Sequence, residues 1–339
     1  MTRKTEDIPL QRRVSEKEPK TPIIISASRS TDIPAFYAEW FINRLQEGHV
    51  KWKNPFNGVH VKVSFEKVRL IVFWTKNPKP IMSRLEYLDE KSLNYYFQFT
   101  LNDYDEENFE PHVQNVQERI EIFKKLSEKI GKTKVIWRFD PLILTEKIGV
   151  DELLRKLENI GNQLKNHTNK LVFSFADITS YKKVQINLRR GSITCKEFNE
   201  KAMNEFAAGL QGLNKNWHFE LATCAEKIPL QEYGISHNKC IDDDLIIKLF
   251  PKDKELMNFL GVEIAQNFLN QNEIIKKKRN NKDKGQRKYC GCIISKDIGE
   301  YNTCAHLCEY CYANASKETA LANYKRSKCD MHTESIKGR

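Results

Sequence analysis

The sequence predicts an α/β protein: a six-stranded parallel sheet curled into a partial (βα)6 TIM-type barrel, with a cysteine-rich cluster-binding extension at its C-terminal side. Three observations predict it. Six short apolar runs recur along the chain, each bounded by turn signals. Stretches with helical spacing alternate with them, and such alternation gives a parallel sheet with helices outside. Near the C-terminal side, Cys304, Cys308 and Cys311 form a compact C-x3-C-x2-C array.

In chain order, residues 1–20 are polar and mixed in charge and read as a flexible tail, without the apolar stretch of a secretory signal. The barrel domain is expected over 21–270. Its first strand is 22–26, apolar and β-branched, as suits a strand buried on both faces. Asp32 or Thr31 caps the next helix, where Phe36, Trp40, Phe41 and Leu45 recur at helical spacing and Gly48 is the stop. Residues 50–64 read as a decorating hairpin around Asn57-Gly58. The second strand, 70–74, ends before Pro78 and Pro80, and a helix over 81–87 follows. The third strand, 95–101, leads into the acidic loop 103–110. Val116, Ile120, Phe123, Leu126 and Ile130 then mark one helical face stopped by Gly131.

The fourth strand, 134–139, precedes a helix marked by Leu153, Leu154, Leu157 and Leu164. The fifth, 171–175, precedes one marked by Phe198, Met203, Phe206 and Leu210. The sixth is 218–222. Helical runs over 245–250 and from 254 to about 269 follow. Residues 271–289 read as a basic linker, 290–316 as the cluster-binding segment, and 317–339 as a flexible tail.

The chain has 339 residues, 40% hydrophobic and 30% charged, enough for one large globular domain with appendages or for two. No run of about 18 apolar residues is present, so no membrane partner is expected. Nine cysteines, an odd number, argue against a disulfide framework and for a reducing cytoplasm. The net charge of +11 favours anionic partners and leaves nucleic acid open. Much of the excess lies in Lys276, Lys277, Lys278, Arg279, Lys282, Lys284, Arg287 and Lys288. That run reads as a solvated linker, because no aromatic stacking platform interrupts it before Tyr289.

In a parallel sheet, ligands bind beyond the C-terminal strand ends. Polar residues collect there: Ser26, Arg29 and Asp32; Lys76 and Asn77; Arg138 and Asp140; Asp177; Cys224 and Glu226. Singly, each is an ordinary cap or turn residue. Arg138 lies inside an apolar strand, where an unpaired charge is costly, and Asp140 shares its face. The pair is either a structural ion pair or an anchor for a carboxylate or phosphate ligand.

Three thiolates on a four-iron cube leave one iron open for a substrate or cofactor. Zinc held by the trio with His306 or a distant cysteine is an alternative, as are buried free thiols. His306 stands two residues from both Cys304 and Cys308, an awkward spacing for joint tetrahedral ligation. Cys224, Cys240, Cys290 and Cys292 supply four more thiols. If the linker folds back to the barrel mouth, they complete a second closed cluster or a structural zinc site. Cys195 and Cys329 read as free thiols.

The segments ISASRSTDIPAFYAEWF, VFWTKNP, YYFQFTLND, VIWRFDPLILT, LATCAE and CGCIISKDIGEYNTCAHLCEYCYAN resemble the bacterial family named domain of unknown function 1848, over nearly all of 22–314. The last segment is similar to the cluster loop of radical S-adenosylmethionine enzymes such as spore photoproduct lyase. That resemblance implies a [4Fe-4S] cluster on Cys304, Cys308 and Cys311, whose open iron chelates S-adenosylmethionine. It implies reductive cleavage to a 5′-deoxyadenosyl radical, which takes hydrogen from a substrate the sequence does not identify. An electron donor such as flavodoxin or ferredoxin is implied as a partner. Tyr310, before the third cysteine, is implied as a cofactor contact. Arg29 joins it as a cofactor-binding candidate, and Arg138 and Asp140 are the catalytic candidates. In radical enzymes this loop follows the first strand. Here it follows the sixth strand–helix unit, so the C-terminal segment has to carry it back over the sheet. The competing class is a non-catalytic zinc or iron–sulfur protein that binds nucleic acid, supported by the basic charge.

Overall fold

The structure, a computed structural model, describes residues 19–265, 274–277 and 280–338, with the side chains of 264, 265 and 274–277 excepted. Eight strands form the central sheet: β1 (Ile24–Ala27), β2 (Leu70–Thr75), β3 (Asn94–Thr100), β4 (Val135–Leu142), β5 (Lys170–Phe175), β6 (Glu220–Thr223), β7 (Ile235–His237) and β8 (Lys296–Asp297). Their order is β7-β6-β5-β4-β3-β2-β1-β8, and every pairing is parallel. All six expected strands are present. The sheet has eight strands because β7 and β8 add one at each edge. Both are too short and too polar to carry an apolar signal. The two edges are not paired with each other among the described residues, so the expected barrel closure is not seen.

The period-two alternation sorts the side chains to two faces. Ile25, Ile71, Phe73, Phe97, Trp137, Phe139, Leu171 and Phe173 pack with Phe41, Leu88, Phe123, Leu157 and Phe206 from the helices. Ile24, Leu70, Val72, Tyr96, Ile136, Val172 and Ala222 form a second cluster with Ile246, Leu256 and Leu260 from helices Asp243–Leu249 and Lys254–Leu260. A fully buried side chain of this size contributes roughly 1.5–3 kcal/mol. The next residues along this second face are Ser26, Trp74, Gln98, Arg138, Ser174 and Cys224. Polar chemistry therefore replaces apolar packing toward the C-terminal strand ends.

The hairpin is His49–Lys53 with His60–Ser64, as expected. Helix Val116–Ile130 ends at Gly131, whose φ of +91° suits a residue without Cβ. The helix expected to reach about residue 269 stops at Leu260. Gly261 turns left-handed there, and Val262–Ala265 pairs antiparallel with Ile274–Lys277. The first part of the expected linker is thus partly strand. Its second part, from 280, packs back on the sheet, with the Asp283 amide 2.9 Å from the Cys292 carbonyl. The N-terminal tail expectation falls outside the described residues up to 18.

Segment 317–339, expected to be a flexible tail, instead holds helix Lys317–Cys329. Its buried face consists of Ala320, Asn323 and Ser327, so hydrophobic periodicity does not reveal it. Beyond it Ile336 is 1% exposed, and Trp40 Nε1 donates to the Thr333 carbonyl at 2.8 Å. Helix Lys182–Arg190 also lacked a signal, burying only Val184 and Leu188. No helix among the described residues is long and apolar enough to cross a membrane.

The C-terminal segment is seated through Asp297. Its Oδ2 accepts from Ser26 Oγ at 2.6 Å and the Arg29 amide at 2.8 Å. Its Oδ1 accepts from Ser28 Oγ at 2.8 Å and the Gly299 amide at 3.0 Å. A Cβ on Gly299 would lie 1.9 Å from Ser28 Oγ. Asp297→Ala strands several half-buried donors and should cost about 1–3 kcal/mol. Gly299→Ala should displace the same contacts. Both should lower the urea midpoint and speed proteolysis after residue 290; unchanged midpoints in both variants would count against this seat.

Candidate metal centre and its polar network

The loop 303–314 is pinned from several directions. Tyr37 Oη donates to the Thr303 carbonyl at 2.6 Å. Asn187 Nδ2 donates to the Cys311 carbonyl at 2.8 Å, and Asn314 Nδ2 to the Cys304 carbonyl at 2.9 Å. The Glu309 amide reaches the Phe109 carbonyl at 2.9 Å. His306 Nε2 lies 2.8 Å from Asp32 Oδ2 and is 3% exposed. Asp32, the cap of helix Ile33–Phe36, also accepts from the Lys76 amide at 2.7 Å. These contacts bring the loop to the C-terminal ends of β1 and β2. They also commit one ring nitrogen of His306 to Asp32, and the other lies 3.3 Å from the His112 carbonyl, so both already have partners.

The three thiols are free and half-buried. Burial first, then the charge of Cys311, pushes the Cys304 thiol up to about 12. Burial also raises Cys308 and Cys311, against the lowering effect of Lys76 on both. Such thiols ionise when a cation joins them. The surroundings suit sulfur carrying negative charge. The backbone N–H groups of His306 and Asp32 lower the Cys304 thiol against the effect of burial. Cys311 accepts from the Asn314 amide at 3.3 Å, and the Ala313 amide also lowers its thiol against burial.

A single tetrahedral ion with bonds of about 2.3 Å would draw its sulfurs within roughly 4 Å of one another. Among the described residues, only Asp242, Asp243 and Asp244 have three such ligand atoms within 4.8 Å. The wider thiol spacing fits a cube presenting its irons at separate corners. The trio, with its N–H donors, therefore fits the [4Fe-4S] group better than zinc.

Beside the trio lies a buried ionic network. Lys76 Nζ is 2.6 Å from Glu110 Oε1 and 3.1 Å from Tyr310 Oη. Tyr310 Oη also donates to Glu110 through a short bond. Arg119, 0% exposed, holds Glu110 Oε2 at 3.2 Å. Burial alone would raise the Glu110 carboxyl, but Lys76 and Arg119 push it down to about 2. Asn102 Nδ2 bridges to Tyr310 Oη at 3.0 Å, and Asn102 Oδ1 accepts the Asp140 amide at 2.8 Å.

Asp140 and Arg138 form the expected pair through short contacts, and Ser174 Oγ donates to the other Asp140 oxygen. Burial opposes the Asp140 charge, yet Arg138 and Ser174 hold its pKa below the ordinary value. Arg138 Nη1 also meets Gln98 Oε1 and Cys240 Sγ, each at 3.1 Å.

The structure thus brings Cys304, Cys308, Cys311 and Tyr310 together with Lys76. It brings Cys224, Cys240, Cys290 and Cys292 together with Arg138. The Cys224 and Cys240 sulfurs are 3.7 Å apart, and Cys292 Sγ accepts the Cys240 amide at 3.2 Å. A hydrogen bond with Cys292 lowers the Cys290 thiol to about 7. Arg29 packs on Trp74 at 4.8 Å, and burial of its guanidinium is opposed by the charges of Cys292, Asp297 and Cys240, so it faces this second group rather than the trio. Sequence reasoning missed Glu110, Arg119 and Asn102. The first looked like one acid in an exposed loop, and Arg119 like a polar position on an amphipathic helix.

A groove of about 630 Å³ runs along the outer side of the loop, lined by Lys53, Phe56, Tyr181, Lys183, Tyr301 and Tyr312 among others. Another cavity, of about 320 Å³, opens at the opposite strand ends beside Val135, Lys170 and Glu220 and meets no thiol.

The profile of the family described as "Domain of unknown function (DUF1848)" matches residues 24–313. No curated protein matches the sequence. Among solved structures, a candidate alpha-L-fucosidase from Bacteroides thetaiotaomicron VPI-5482 is 11% identical, covering 77% of this chain and 89% of its own, with a TM-score of 0.26. A dihydropyrimidinase from Brevibacillus agri NCHU1002 is 12% identical, covering 69% and 50%, with a TM-score of 0.26. At those scores neither bears on the activity of this chain.

Glu110→Gln leaves Lys76 and Arg119 without their shared buried carboxylate and should cost about 3–5 kcal/mol in urea unfolding. The native Glu110 pKa lies below the unfolded value of about 4.3. Its stabilisation is therefore complete above about pH 4.3 and is lost as pH falls through about 2. Acid titration should show that loss in the natural protein and a flatter limb in the variant.

Proposed function

The chain belongs to the DUF1848 family, and from the geometry of its strand ends we propose that it is a radical S-adenosylmethionine enzyme. The observation that carries this reading is the delivery of Cys304, Cys308 and Cys311, on one pinned loop, to the C-terminal ends of β1 and β2. Three thiolates there would hold three corners of a [4Fe-4S] cluster and leave the fourth open. When bound and reduced, that cluster supplies the electron that splits S-adenosylmethionine into methionine and a 5′-deoxyadenosyl radical.

The chain's own residues position and shield. The amides of His306, Asp32 and Asn314 offset thiolate charge. Lys76 adds a cation beside Cys308 and is fixed by Glu110. The Tyr310 hydroxyl is spent on Glu110, Lys76 and Asn102, which leaves its backbone for a cofactor. Asp140, with both oxygens occupied, acts as a positioning residue for Arg138 rather than as a proton acceptor. Flavodoxin or ferredoxin is the class of electron donor required.

The groove beside Tyr301 and Tyr312 combines lysines with aromatic faces, Phe56 being 94% exposed. It favours a second reading, a metal-holding nucleic-acid-binding protein without catalysis. One anaerobic experiment separates the two. Reconstituted with iron and sulfide, then reduced and given S-adenosylmethionine, the protein should form 5′-deoxyadenosine, detected by mass spectrometry. Cys308→Ala should reduce formation to background. An iron-loaded protein that makes none, yet binds single-stranded DNA or RNA with steep salt dependence, would reverse the assignment.

A further inference from the structure

We propose that Cys224, Cys240, Cys290 and Cys292 hold a second iron–sulfur cluster, one with all its protein ligands supplied. This inference is independent of the radical reading. It concerns the apolar-to-polar boundary on the second face of the sheet rather than the loop at 304–311.

The four thiols come from three separate places in the sequence. Cys224 continues β6, its amide 2.8 Å from the Phe173 carbonyl. Cys240 sits in the loop after β7, where Tyr96 Oη and Gln98 Nε2 hold its carbonyl at 2.7 and 2.9 Å. Cys290 and Cys292 are returned to the sheet by the segment after residue 280. Cys240, Cys290 and Cys292 are 5%, 7% and 2% exposed, and all four are free. Apolar burial alone does not account for their neighbours.

Three guanidinium groups converge on these sulfurs. Arg138 Nη1 is 3.1 Å from Cys240, and Arg287 Nη2 is 3.9 Å from Cys224. For the third, Arg29, burial opposes the charge and Cys292 is the first of the groups that favour it. Arg29 Nη2 is buried with no hydrogen-bond partner. Among the described residues only Arg138 of the three has a carboxylate in ion-pair contact, Asp140. Asn238 Nδ2 adds a donor to Cys240 at 3.2 Å, and the Ile241 amide one to Cys292 at 3.4 Å. Buried cations and N–H donors gathered on sulfur offset negative charge, which thiolates carry when they bind metal.

The spacing selects the kind of group. The sulfurs neighbour one another in the row Cys224, Cys240, Cys292, Cys290, the first two 3.7 Å apart and so close enough to share one iron, yet among the described residues no three lie within 4.8 Å of one another. One zinc ion would require all four within roughly 4 Å. A polynuclear iron–sulfur group uses the wider spread, and four thiolates leave no iron open. The centre therefore stores or passes electrons, or holds the fold, without binding S-adenosylmethionine.

The test uses the full chain, reconstituted anaerobically with iron and sulfide. The variant Cys304→Ala/Cys308→Ala/Cys311→Ala should stay brown, keep about half the natural iron and sulfide, and give a Mössbauer spectrum that S-adenosylmethionine does not move. Adding Cys240→Ala and Cys292→Ala should remove the remainder. A folded triple variant without iron, one tight zinc per chain, or a Cys224–Cys240 disulfide in the thiol count would each overturn the proposal. Should the triple variant not fold, the same pair of substitutions in the natural protein decides. Partial or complete loss of its iron in Cys240→Ala/Cys292→Ala supports the second centre; unchanged iron in that variant overturns it. Absence of 5′-deoxyadenosine from the natural protein, with iron retained in the triple variant, would count against the radical reading alone.

Discussion

One carboxylate holds this architecture together. Asp297 lies far from β1 in sequence, yet it fills a cradle of hydroxyl and amide donors at the end of that strand. The tie places β8 on the sheet edge and starts the loop that carries Cys304, Cys308 and Cys311. The close approach works because residue 299 has no side chain to meet Ser28. The loop that follows is then pinned independently by Tyr37, Asn187 and the His306–Asp32 contact.

The two thiol groups are connected by a continuous polar path. It runs from Lys76 beside Cys308 through Glu110, Tyr310, Asn102 and Asp140 to Arg138 at Cys240. Each charge on the path has an opposite partner, which offsets the desolvation that burial imposes. A path of this kind fixes geometry more than it adds stability, and it links two groups that both lie toward the C-terminal strand ends.

The six long strands were legible because burial on both faces demands unbroken apolar runs. The Arg138–Asp140 pair was legible for the opposite reason, a charge where the pattern wants none. Helix Lys317–Cys329 was hidden because it docks through small and polar side chains. Strands β7 and β8 were hidden because pairing of the backbone, not side-chain burial, defines them. Spacing identified both cysteine sets, but not their orientation. Lys76 was named as one polar residue among several at the strand ends. Its partnership with Glu110 and Arg119 follows from a loop closing over a helix, a tertiary event with no local pattern.

The placement of the ligand loop after the sheet also sets a calendar for synthesis. Asp32, Lys76, Asn102 and Glu110 leave the ribosome long before Cys304 does. A nascent chain can therefore pair its strands and join Lys76 to Glu110 while sulfur for the rim is still in the exit tunnel. A ribosome stalled before residue 304 yields a sheet in which Lys76 can already hold Glu110 but Asp32 still lacks His306 and the trio of sulfurs is missing.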